Sequence, residues 1–227
     1  MIFKAGYFSF HIVNQDNLEL LRQWRNSEFV RSKMIHRDTI TKEEQLKWYQ
    51  SINNINNLYY VAHFKNEPFA MVNFKNIQWE QHTAEAGVFV GNETYLSTET
   101  PALGGLLLSF FTLNALGFIK LTSKTLAENL TASSYNSSLG YTISENDGTI
   151  IHWNLLRDNF NKKSIKLMKA VKVLSGFDDH WKMEMNENDF QIGLVERLQQ
   201  RLKSNNVSCF ENKNKAGHFD IHFPIVK

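Results

Sequence analysis

Apolar positions along the chain switch repeatedly between a period of two and a helical period. Residues 7–13 alternate as an opening strand, and Asp16 can cap a helix that carries Leu18, Leu21 and Trp24 on one face. The run ITKEEQLKWY contains a capping box, Thr41 with Glu44 three positions on, followed by Leu46, Tyr49 and Ile52 at core spacing. Residues 58–64 and 69–74 read as strands joined by the turn Lys65-Asn66-Glu67-Pro68, and AEAGVFV at 84–90 adds a third, which predicts an antiparallel meander. Thr100-Pro101 is a helix start. Residues 119–126 alternate again, Asn129 opens a short helix with Ala132, Tyr135, Asn136 and Leu139, and Gly140 ends it. Tyr141-Thr142-Ile143 resumes extended structure, Asn146-Asp147-Gly148 makes a hairpin turn, and residues 149–157 form its second strand with His152 and Trp153.

Beyond that hairpin, Lys162, Lys163, Lys166, Lys169 and Lys172 form a basic face on a helix whose other side carries Ile165, Met168 and Val171. Residues 177–188 read as acidic and irregular. A helix near 190–202 and strands near 207–210 and 219–225 complete a small tail, for which packing or dimerisation is the default role; a homodimer stays open.

Composition narrows the class. With 227 residues there is room for one sizeable core plus an appendage. Hydrophobic content of 42% against 21% charged marks a globular, soluble chain. A net charge of +2, with no basic arm, gives no case for nucleic acid. Cys209 is the single cysteine, which excludes a disulfide framework and a cysteine-rich metal site and fits a reducing cytoplasm. Lys4, Ser9 and His11 interrupt the apolar start, so it is neither a signal peptide nor a membrane span. No nucleophile triad, metal-ligand spacing or Walker loop is present, which removes hydrolase and NTPase readings.

Two stretches carry a family resemblance. LGFIKLTSKTLAENLTASSYNSSLGY, from Leu116 to Tyr141, resembles the second half of the GNAT acyltransferase core: a strand, an Asn, a short helix and an aromatic strand. The opening, with Trp24-Arg25-Asn26, Val30-Arg31, Met34, Glu43-Glu44-Gln45 and Trp48, resembles one branch of that superfamily, although Gln45 stands where the pattern has His. That branch includes ribosomal-protein N-terminal acetyltransferases and amino-sugar acetyltransferases such as that of the pseudaminic acid pathway. The resemblance implies an α+β GNAT fold, a mixed and mostly antiparallel sheet flanked by helices, with a core over residues 1–158 and a C-terminal extension over 159–227. It also implies an acetyl-CoA-dependent N-acetyltransferase acting on a small-molecule amine, expected to be a nucleotide-linked amino sugar. Protein N-terminal acetylation and a non-catalytic GNAT-like module are the alternatives.

By the same resemblance, the third meander strand carries a bulge and splays from its neighbour, with Gly87 suited to the distortion. The backbone at Val88, Phe89 and Val90 would polarise the thioester carbonyl, and Asn129 would hold the pantetheine arm. The pyrophosphate loop falls at 96–100, where Ser97, Thr98 and Thr100 offer hydroxyls but the expected glycines are missing. Gly104 and Gly105 lie one turn later and let the helix pack closely. Asn136 occupies the position where many relatives place a Tyr that protonates the leaving thiolate. Glu85 is the first candidate base, His36 and His82 the second, and Arg25 and Arg31 are the candidate acceptor-binding cations.

Overall fold

β1 (Ile2–Ala5) and β2 (Phe8–Ile12) form a hairpin that buries Phe3, Ala5, Phe8 and Phe10 on one side. The computed structural model describes residues 1–212 and 215–224, with the side chains of Ile165 and Lys166 excepted. Lys166 and Ile165 of the expected amphipathic helix, and Ile225 of the last expected strand, therefore lie wholly or in part outside the described residues.

After β2, Asn14 rather than Asp16 makes the cap: its side chain accepts from Asp16 N while Asn17 answers to Asn14 N, closing a 3-10 turn ahead of α1 (Leu18–Asn26). A short α2 (Glu28–Arg31) and then α3 (Lys42–Ile52) follow, α3 with the expected Thr41–Glu44 box. The meander is β3 (Leu58–Phe64), β4 (Glu67–Gln78) and β5 (Thr83–Val90). Lys65 and Asn66, both at positive φ, make the tight turn that the right-handed strand twist demands. α4 (Thr100–Phe110) runs into a π-helical turn, Phe111–Ala115. β6 (Lys120–Leu126), α5 (Leu130–Leu139), β7 (Thr142–Asn146) and β8 (Ile150–Leu156) complete the expected second half.

The C-terminal third departs from its sequence reading. α6 (Arg157–Ser175) is the basic helix, with Phe160, Met168 and Val171 buried. The stretch expected to be irregular contains β9 (His180–Glu184), in which Trp181 and Met183 alternate with polar residues. The expected helix near 190–202 is two, α7 (Glu187–Gln191) and α8 (Leu194–Ser204), separated by Gly193 at φ 75°. β10 (Ser208–Glu211) and β11 (His218–His222) follow.

All eleven described strands join one sheet in the order β10-β11-β9-β1-β2-β3-β4-β5-β6-β8-β7. β9 is inserted between β1 and β11, so the C-terminal residues extend the same sheet on the far side of the first hairpin. Trp181, fully buried, stacks on Phe3 at 5.0 Å and touches Phe111 and Phe177. The large core, under α4, α5, α6 and α8, lies on one face of the sheet. A smaller core, Val13, Leu21, Val30, Ile52, Tyr59, Val61 and Phe89, lies on the other, under α1 to α3. Among the described residues no helix is long and apolar enough to cross a membrane.

Candidate functional site

The ladder between β5 and β6 is the one parallel pairing among the described strands, and it has three rungs: Thr83↔Lys120, Ala84↔Leu121 and Glu85↔Thr122. Past Glu85 the strands part. β5 keeps its antiparallel register with β4 as far as Ala70↔Val90, and β6 keeps its own with β8 as far as Leu126↔Ile150. The inner edge of β5 from Ala86 to Val90, which includes Val88, Phe89 and Val90, therefore has no ladder partner on that side, an edge able to pair with an extended amide-bearing ligand. The bulge expected on β5 is on β4 instead. Between Lys75↔Glu85 and Gln78↔Thr83 the extra residue is in β4, where Asn76 takes φ 52°. Gly87 keeps a φ outside the left-handed region.

At the open end of the split, residues 96–99 lead into α4. Thr98 Oγ1 donates to Tyr95 O at 2.9 Å and accepts Thr100 N–H at 3.4 Å, so it builds the turn. Thr100 is buried, Ser97 is exposed, and Pro101 occupies the first helical turn. Thr100 N–H is held by Thr98, Pro101 has none and Leu103 N–H bonds Glu99 O, so the dipole of α4 and the Ala102 N–H are what favour an anion there, while Glu93 and Glu99, both exposed, oppose one. On the other side of the split, Asn129 caps α5 by accepting from Ala132 N at 3.1 Å, which leaves its NH2 for a ligand. Asn136 is buried with Nδ2 unpartnered, and the Ser133 hydroxyl is in the same condition. Tyr135 lies against α4: a Cβ on Gly105 would fall 1.8 Å from its hydroxyl. Burial pushes the Tyr135 phenol pKa upward, away from use as an acid at neutral pH. Gly104 faces Phe8 and Phe69, so both glycines serve close packing.

On the sheet face under α1 to α3, Tyr59, Asn73 and Gly87 form a cross-strand row over β3, β4 and β5. Asn73, which the sequence reading missed, is 6% exposed, and its Nδ2 has no partner. Its amide lies over Gly87, where a Cβ would meet Oδ1 at 2.8 Å. The next row holds Lys75 and Glu85, ion-paired at 3.0 Å, and Asn76 Nδ2 reaches the same carboxylate at 3.4 Å. Tyr59 packs edge-on against Trp48, and its phenol is pushed up to about 12 by burial and by the charge of Glu85. Glu85, on the last rung before the split, thus stands beside an aromatic wall and a buried amide.

The histidines stand apart from this row. His82, at φ 56°, offers Nε2 to Arg201 of α8 at 2.7 Å; arginine only donates, so that lone pair is occupied. Burial and then Arg201 lower its pKa and keep it neutral. His36 is exposed in the loop between α2 and α3, 3.7 Å from Asp38. Arg31 is spent on Glu28 at 2.6 Å and on Thr39. Arg25 differs: one guanidinium nitrogen is buried without a partner, and the other reaches His36 O at 3.4 Å. Burial lowers its pKa, as befits a cation without an anion. The lysines of α6 lie on the opposite face of the sheet from Arg25, so the two cannot grip one small anion. Between α1 and the β3–β4 turn, Trp24 packs onto Gly91 and helps line an open groove of about 480 Å³ with Glu67 and Glu93 in its wall. Among the described residues no group of three or more His, Cys, Asp or Glu is placed to hold a metal ion.

The mostly antiparallel sheet flanked by helices matches that of solved structures. This is the GNAT fold. The chain is similar to a spermidine N-acetyltransferase from Vibrio cholerae in complex with CoA and spermine, at 12% identity and TM-score 0.59, covering 68% of this chain and 98% of that one. It is similar to an aminoglycoside acetyltransferase in complex with coenzyme A, at 13% identity and TM-score 0.58, covering 68% and 98%. It is also similar to RimL, a ribosomal alpha-N-protein acetyltransferase in complex with coenzyme A, at 14% identity and TM-score 0.57, covering 70% and 99%. No family model and no curated protein matches the sequence.

Proposed function

We propose that this chain is an acetyl-CoA-dependent N-acetyltransferase whose acceptor is the free amine of a nucleotide-linked amino sugar. The observation that carries the enzymatic part is the three-rung seam that opens at Glu85, because it sets an unpaired strand edge and a carboxylate next to each other. In this reading the backbone of Val88, Phe89 and Val90, with the NH2 of Asn129, aligns the amide-bearing arm of the acyl donor. Asn136 and Ser133 supply buried donors between α5 and α4, and the start of α4 with Ser97, Thr98 and Thr100 faces the phosphates. The donor supplies an activated thioester; the residues of this chain supply alignment and proton removal.

Glu85 is the base that relieves the attacking amine of its proton, with His36 second. His82 ranks below both, because protonating Nε2 would first displace Arg201. The neutral amide of Asn136 donates a hydrogen bond but no proton, which suffices for a thiolate whose conjugate acid has a pKa near 8.5. The unpaired guanidinium of Arg25 supports an anionic acceptor, and a diphosphate meets that need. Cys209 supports a reducing, cytoplasmic setting: it is half-buried, with its thiol pushed up to about 11.

The test measures CoA release with acetyl-CoA and two panels, amino-sugar nucleotides and N-terminal peptides. Turnover of the sugars supports the proposal, and turnover of peptides alone overturns the acceptor assignment. No turnover together with no heat of binding for acetyl-CoA overturns the enzymatic reading in favour of a non-catalytic module.

A further inference from the structure

Asn73 is a polar residue in the middle of a central strand, between neighbours that fill the two cores. Its β4 neighbours Val72 and Phe74 belong to the large core, and Met71, two residues away on its own face, packs against the small one. An amide in such a place is retained at a cost, since a buried N–H without an acceptor loses its water and gains nothing. Three features give it a direction. Its cross-strand partner on β5 is glycine, and the amide occupies the space that a side chain at 87 would fill, with Oδ1, Cγ and Nδ2 all within 3.4 Å of the missing Cβ. The side chain therefore leans from β4 onto β5, toward the edge that has parted from β6. On its other flank is Tyr59, whose phenol senses the charge of Glu85. Its Nδ2 is without a partner.

We infer that Asn73 is a specificity-determining residue of the acceptor site, and that its NH2 binds an oxygen carried on the carbon next to the reacting amine carbon. Glu85 and Asn73 are diagonal neighbours across the β4–β5 pair, about 7–8 Å apart, a span that an amine and a vicinal hydroxyl or carbonyl bridge with one hydrogen bond of about 2.9 Å at each end. The substrate class is then amines with a neighbouring oxygen acceptor, such as amino sugars, and plain alkylamines and polyamines are discriminated against because they leave the donor buried and unpaired. This inference rests on the acetyltransferase reading above and narrows its acceptor.

The experiment uses matched pairs, glucosamine against cyclohexylamine and an amino-acid amide against the corresponding alkylamine, with acetyl-CoA and the full chain. Wild type should prefer the oxygen-bearing member by about 10- to 100-fold in kcat/KM. Asn73→Leu should bring that ratio close to one while the dissociation constant of CoA stays unchanged. Gly87→Ala should do the same without touching Asn73 chemically, because the new Cβ evicts the amide. Asn73→Leu should also raise Tm by about 2–4 °C, since it removes a buried donor that the free protein does not satisfy. Turnover in which wild type and Asn73→Leu share one ratio overturns the inference and leaves the acetyltransferase reading standing. A fall in Tm overturns it as well, by showing that the amide is satisfied inside the fold. Failure of wild type to acetylate any member overturns this inference; the acetyltransferase reading falls only if amino-sugar nucleotides and peptides are not acetylated either and acetyl-CoA gives no heat of binding.

Discussion

Arg25 and Arg31 are six positions apart in sequence, yet their situations differ in one respect that decides their roles. Arg31 holds Glu28, an exposed i,i+3 pair of small energetic value, whereas Arg25 carries a buried nitrogen with no anion beside it. Arg25→Gln should raise KM for an anionic acceptor about tenfold with a smaller change in kcat, and should leave Tm unchanged or higher, because an uncompensated buried charge is removed. Arg31→Gln should change neither by more than about twofold. Steady-state kinetics and a melting curve on each variant check the contrast. His11 gives a second residue-level expectation. Its pKa is lowered to about 4, first by burial, then by His63 and Lys4, and its ring lies 4.1 Å from that of His63. The folded state therefore binds this proton less readily than the unfolded chain does. Stability from this group is present above about pH 6.5 and is lost as pH falls toward 4. Allowing for solvent around a half-exposed ring, the loss is about 1–2 kcal/mol, and His11→Gln should show a shallower decline of Tm over that window.

At the scale of elements, the start of α4 sets a helix dipole against two carboxylates. If the phosphates of the acyl donor meet that helix start, Glu99 opposes them from the residue just before the helix. Glu99→Gln should tighten CoA about two- to fivefold by calorimetry, and the gain should shrink as salt rises. Much of this layer was legible in the sequence. The Thr41–Glu44 box, the Asn129 cap and the Gly140 exit are local chemistry, and each appears at its expected residue. The split was legible through the resemblance of residues 116–141. The register slip at Asn76 was not, because a bulge is set by how two strands pair and leaves no mark in the periodicity of either. Asn73 escaped for a related reason: within AMVNFKNI it alternates in step with Lys75, as a solvent-facing strand position would, and only Gly87 opposite gives it meaning. β9 did carry a signal, since Trp181 and Met183 alternate with His180, Lys182 and Glu184, but the surrounding acidic residues masked it.

At the scale of the whole molecule, β9 makes the C-terminal residues part of the large core. Trp181 is fully buried between Phe3, Phe111 and Phe177. Trp181→Ala should cost about 3–5 kcal/mol, a large share of the stability of an ordinary domain, and denaturant melts should show the midpoint falling with it. The same placement has a consequence in time. β1 pairs with β9 through Ile2↔Glu184, so β1 has one of its two neighbours about 180 positions further along the chain. Until that segment emerges, Phe3, Phe8 and Phe10 belong to an unfinished sheet with an open edge, the kind of surface that chaperones hold. The sheet around β1 thus closes only after β9 has been made, and refolding from denaturant should be slow and sensitive to protein concentration.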